Sequence, residues 1–76
     1  MYLSHSADAA EQKRILLQIY NALLESGYDP IRQITGYLIS EDPTYIPDYR
    51  NARALIAMVD RELLLSTLIR DYLIEK

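Results

Sequence analysis

The chain contains no cysteine, which excludes a disulfide staple and any thiolate metal site. It has little histidine: the single one is His5, close to the N-terminus and far from every serine beyond Ser6. It has no basic excess. The formal net charge is −3, the wrong sign for the phosphate contacts of nonspecific nucleic-acid binding and for an anionic membrane surface. No apolar run approaches the ~20 residues that a spanning helix needs. The opening Met1-Tyr2-Leu3-Ser4-His5-Ser6 lacks the basic region and apolar stretch of a secretory signal. These absences together lead to a cytoplasmic expectation.

Glycine and proline are also scarce, two and three residues respectively, and their placement is informative. All five fall between Gly27 and Pro47, inside a block that runs to Arg53 and holds Tyr28, Tyr37, Tyr45 and Tyr49. Residues that punctuate a backbone are thus crowded between two long stretches of apolar periodicity. With 76 residues the chain is one domain. A domain of this size buries only about 60% of its unfolded surface. Half of the residues are apolar, which is enough for a core and too many for disorder. Without disulfides, tight helix packing or oligomerisation must supply the stability.

Residues 1–7 show no period and read as a flexible N-terminal arm, leaving 8–76 as the helical domain. Asp8 and Glu11 have capping-box spacing. Ile15, Ile19 and Leu23 repeat at i, i+4, i+8, flanked by Leu16, Tyr20 and Leu24, which predicts an amphipathic helix over 8–26. Gly27 stands where a helix ends in a left-handed residue. Asp29-Pro30 restarts a helix over 30–40, with aspartate as cap and proline in the first turn. Gly36 inside it costs about 1 kcal/mol relative to alanine, and close approach of another helix is the expected reason. Asp42-Pro43 repeats the device for one short turn. Ile46, before Pro47, is pushed out of the helical region. A third main helix is expected from Pro47 or Asp48 through Val59, and a fourth over 61–75 behind Asp60. No period-2 stretch competes. The expected fold is all-α: a compact small bundle of four main helices plus a short turn.

The last helix carries more apolar residues than one contact face requires. Leu63, Leu64, Leu65, Leu68, Ile69, Tyr72, Leu73 and Ile74 cover well over half its circumference, against a stripe of ~100° for an ordinary surface helix. A monomer rarely leaves such a patch in water. A homodimer is therefore expected, with Leu64, Leu65, Leu68 and Tyr72 as interface candidates.

Catalytic chemistry finds little support. A Ser-His-acid site needs its base held rigidly against the nucleophile, and His5 in a loose arm does not offer that. Glu41-Asp42 is a metal or acid–base candidate on paper, but calcium needs several more oxygen donors. Capping of the Pro43 turn explains Asp42 more simply. No metal, cofactor or enzymatic activity is expected. Tyr49, Arg50 and Arg53, with Tyr45 nearby, form the most distinctive polar cluster, read as sharing one side of a helix. Arginine forks grip carboxylates and phosphates, and tyrosine is a flat anchor with a polar tip. The cluster is read either as a docking face for an anion or partner, or as an internal brace tied to Asp42 or Asp48. Arg50 is the member expected to stay free for a partner, and Arg53 the one expected to brace. The tight turn at Gly27 admits a helix-turn-helix, which makes a small nucleic-acid-binding protein the alternative function. The second helix of that unit has only Arg32 as a cation, fewer than DNA docking uses.

The spacing Gly27-Tyr28-x-Pro30-Ile31-x-Gln33-Ile34-x-Gly36-Tyr37-Leu38, then Ser40-x-Asp42-Pro43-x-Tyr45-Ile46-Pro47-x-Tyr49, then Ala52-Arg53, resembles the IreB family of small proteins of Gram-positive Firmicutes. The similarity continues through Asp60-Arg61-Glu62 to Arg70-x-Tyr72-Leu73 and covers residues 12–73. The resemblance implies a cytoplasmic, all-helical homodimer without known enzymatic activity. It also implies negative regulation of cephalosporin resistance, downstream of a transmembrane Ser/Thr kinase and its partner phosphatase. Family members accept phosphate on threonines of the N-terminal arm. This arm has Ser4 and Ser6 but no threonine, and the first threonine is Thr35, so the phosphosite is not carried over. Glu41 also stands where the family usually has glycine. The reading is a non-enzymatic regulatory or adaptor protein that acts by protein–protein contact.

Overall fold

The computed structural model describes residues 5–75, with the side chains of 5–9 and 75 not described. The order is α1 (His5–Glu25), α2 (Pro30–Ser40), a 3₁₀ turn (Pro43–Tyr45), α3 (Ala52–Ile56) and α4 (Arg61–Arg70), the last running on into a π-helical turn (Asp71–Glu75). No strand occurs among the described residues. The all-α bundle of four helices and a short turn is as the periodicity requires.

Local chemistry places the breaks. At the end of α1, Gly27 has φ +86°; its N–H donates to the Leu24 carbonyl at 3.1 Å and the Tyr28 N–H to the Leu23 carbonyl at 3.0 Å. This is a Schellman ending, and it satisfies two carbonyls that the helix would otherwise leave open. Asp29 then accepts from the backbone N–H of Ile31 at 3.1 Å and of Arg32 at 3.4 Å. Asp42 does the same for Thr44 and Asp60 for Leu63, so three aspartates open three elements. Glu41 ends α2 in the left-handed region, φ 61°, the conformation that glycine takes cheaply.

Three helix boundaries differ from the sequence expectation. Helix α1 begins at His5, so Asp8 lies inside it and is not a cap; residues 1–4 of the expected arm lie outside the described residues. Helix α3 starts at Ala52 and not at Pro47 or Asp48, because Arg50 and Asn51 both take left-handed φ, 51° and 63°. A right-handed helix cannot pass through two such residues. Tyr49 and Arg50 therefore stand on a turn, not on one helix with Arg53. Helix α4 gives way after Arg70 to the wider π turn.

The core is Ile15, Ile19, Ala22 and Leu23 of α1 packed with Ile46, Ala52, Ile56 and Val59. Ile46, from the segment between two prolines, is completely buried. The segment around it is held by side chains: Gln33 Nε2 donates to the Tyr45 carbonyl at 2.8 Å, and Arg53 Nε to the Ile46 carbonyl at 2.9 Å. Tyr45 lays its ring on Gly36. The close approach expected at Gly36 is thus by an aromatic ring of the 3₁₀ turn, not by another helix.

Candidate functional site

The turn ahead of α3 presents the most distinctive polar group. Its two left-handed residues aim Arg50 back toward the end of α1. There Arg50 Nε meets Glu25 Oε1 at 2.9 Å, and Tyr49 donates its hydroxyl to the same oxygen at 3.1 Å. The guanidinium lies 5.7 Å from the centre of the Tyr49 ring, within cation–π range. The Tyr49 hydroxyl at 3.5 Å and the Glu25 carboxylate raise the pKa of Arg50 further above its ordinary value. Arg50 is thus not free, as the sequence reading had it, but ion-paired. It still has two-thirds of its side chain exposed (67%). Beside it an open groove of about 330 Å³ is lined by Gln18, Asn21, Glu25 and Arg50.

This arrangement can exchange partners. An exposed ion pair is worth little in water. A carboxylate or phosphate offered by another molecule can replace Glu25 on the same fork at small net cost. Arg53, the third member of the expected cluster, is turned to a different task. It braces the Ile46 carbonyl and among the described residues pairs with no acid directly, although its charge helps to hold Asp42 ionised. The Asp42 carboxyl sits below the usual carboxylate range chiefly because the Thr44 hydroxyl and then the Thr44 backbone N–H donate to it, with Arg53 adding the weakest contribution. Asp42 caps a turn, and Glu41 pairs with Arg61 at 2.9 Å. Among the described residues no group of three or more metal-ligating side chains converges.

The expected interface residues divide. Leu64 is half-buried: it packs on the core and also lines the open hollow between α1, α2 and α4. Leu65, Leu68 and Tyr72 are exposed, as are Ile69, Leu73 and Ile74. Three contributors escaped sequence reasoning. Glu25, Gln12 and Arg61 act over separations of 25, 48 and 20 residues, and nothing local in the sequence marks such pairs. No helix among the described residues is long and apolar enough to cross a membrane.

The sequence model of the family described as IreB regulatory phosphoprotein matches residues 1–74. The chain belongs to the IreB family. The match spans every helix from α1 to α4 and the π turn up to Ile74, so the Gly27–Arg53 block and the exposed α4 face both lie within the IreB region. Membership gives the chain a regulatory role. The residues where an IreB protein would be modified are not indicated by the geometry: Ser4 lies outside the described residues, and Thr35 is exposed on α2.

Proposed function

We propose that this IreB protein is a non-enzymatic cytoplasmic regulator that works as a homodimer and engages a protein partner through the Tyr49–Arg50 face. The kind of pathway is that suggested by the family resemblance: Ser/Thr-kinase-linked cell-envelope signalling, with the kinase or its phosphatase as the partner. The carrying observation is the presentation of Arg50. Two consecutive left-handed non-glycine residues are sterically costly. Here they hold an arginine at the surface, stacked on a tyrosine and held by one exchangeable carboxylate. Arg53, by contrast, uses its fork on a carbonyl of the chain's own part-buried segment. The family's regulatory description supports the reading.

The test is capture of the kinase's cytosolic domain and of the phosphatase on immobilised chain. Arg50→Ala is expected to melt like the parent and to lose about tenfold or more in capture, the scale of one charged hydrogen-bonded contact. Glu25→Gln, which weakens the internal competitor, is expected to retain or improve capture. Equal capture by the parent and Arg50→Ala would assign the face to scaffold.

A further inference from the structure

The hollow beside Arg50 is lined on its α1 side by Gln18, Asn21 and Glu25, which share one face of the helix at i, i+3 and i+7. Ala22 beneath them is buried. Arg50 meets Glu25 at 2.9 Å and the Tyr49 hydroxyl at 3.5 Å, both through Nε. Its two end nitrogens make no hydrogen bond among the described residues, and neither do the side-chain amides of Gln18 and Asn21. A guanidinium presents a planar fork that fits a carboxylate or a phosphate. A side-chain amide offers both an acceptor and donors, the complement of a peptide group. The lining therefore matches an acidic group with peptide backbone beside it.

Charge decides which acidic group. Arg50 is the one cation lining the hollow among the described residues, and Glu25 already faces it. A carboxylate side chain brings a single negative charge, whereas a phosphorylated one brings about −1.5 to −2 at pH 7. Beside Glu25, a phosphate would set close to about three negative charges against one positive. Sites that read phosphate gather several arginines instead. We propose that the hollow takes a glutamate or aspartate side chain from an extended segment of a partner protein, that Gln18 and Asn21 pair with the segment's backbone, and that Glu25 turns phosphorylated segments away. The proposal rests on the partner-docking reading of the Tyr49–Arg50 face and names what is docked. The Tyr49 hydroxyl, which donates to Glu25, passes to the incoming carboxylate when the partly exposed Glu25 swings into water.

The test is a titration of the isotope-labelled full-length chain at neutral pH, followed by nuclear magnetic resonance. The probes are capped alanine pentapeptides with glutamate, glutamine or phosphoserine at the centre. The glutamate peptide is expected to shift the side-chain amide signals of Gln18 and Asn21 and the Arg50 Nε–H signal. It should bind about tenfold more tightly than the glutamine peptide, the scale of one charged hydrogen-bonded contact, and more tightly than the phosphoserine peptide. In Glu25→Gln its advantage over phosphoserine is expected to shrink. Asn21→Ala is expected to weaken all three peptides and keep their order. Tighter binding of phosphoserine than of glutamate by the parent would overturn the proposal and make the hollow a phosphate site. Equal binding of glutamate and glutamine, or no shift of these signals at millimolar peptide, overturns it as well. Capture of the kinase domain or the phosphatase then separates the two readings. If capture still depends on Arg50, the face docks a partner through some other group; if it does not, both readings fall.

Discussion

At the scale of single residues, Gly36 shows how one missing side chain shapes a fold. A Cβ built there would lie 2.6 Å from Tyr45 Cδ1 and 2.8 Å from Cζ, well inside contact distance. The ring must move if position 36 gains even a methyl group. Two effects compete in Gly36→Ala. Helix propensity favours alanine by about 1 kcal/mol, and overpacking costs about 1–3 kcal/mol. Overpacking is expected to win, because the Tyr45 backbone is fixed by Gln33 and by buried Ile46, so the half-exposed ring can make room only by turning into water and giving up its packing on α2. Denaturant melts should show Gly36→Ala destabilised in the parent but stabilised in a Tyr45→Ala background. A stabilising Gly36→Ala in both backgrounds would mean that the ring contact has no energetic weight. Glycine in mid-helix was legible in the sequence as a close approach, whereas the identity of the approaching group was not.

At the scale of elements, α4 depends on a few long-range ties. The Gln12 side chain accepts from the Asp60 N–H at 2.7 Å and donates to the Met58 carbonyl at 3.3 Å, so one amide of α1 holds the turn before α4. Arg61 reaches from the first turn of α4 to Glu41 and to the Leu38 carbonyl, fastening α4 to the end of α2. Its Nε is buried and has no partner among the described residues, so the guanidinium is only partly satisfied. Gln12→Leu is expected to cost about 0.5–1.5 kcal/mol, the usual scale for losing intramolecular hydrogen bonds whose partners can turn to water. Amide exchange should quicken in residues 61–70 more than in α1, because the tie is local to α4. Uniform exchange changes along the chain would show that α4 and α1 open as one unit. The boundaries of α2 were visible in Asp29-Pro30 and Asp42-Pro43, because capping is a local event. The late start of α3 was not visible, since nothing in the local sequence demands left-handed φ at Arg50.

At the scale of the whole molecule, large apolar side chains are more numerous outside than inside. Beyond the alanines, the core holds Ile15, Ile19, Leu23, Ile46, Ile56 and Val59, while α1, α2 and α4 all leave leucines and isoleucines exposed. The proposed second copy, in covering them, would make stability depend on concentration by mass action. The melting temperature is therefore expected to rise with protein concentration. Leu68→Asp, at an exposed position on α4, is expected to abolish that dependence and leave a helical chain that melts lower. A melting temperature independent of concentration in the parent would show that the monomer bears this surface alone.

The sequence by itself determined the class of the fold and the punctuation of its helices. Apolar spacing, Gly27 and the capping aspartates act within a turn or two of chain, and a local cause leaves a local signature. It also carried the family, through the Gly-Tyr-x-Pro and Asp-Pro-x-Tyr-Ile-Pro spacings. Tertiary structure alone decided the roles within the arginine–tyrosine cluster. Arg50 and Arg53 are three residues apart and chemically identical; one meets a carboxylate at the surface, and the other a buried segment's carbonyl. The difference comes from Glu25 and Ile46, which the fold brings to them from other parts of the chain. Tertiary structure likewise divided the α4 leucines, turning Leu64 to the core and leaving Leu65 and Leu68 outside. A helix wheel that is apolar nearly all round has no sequence signal for which side faces in. That choice is made by the elements packed against it.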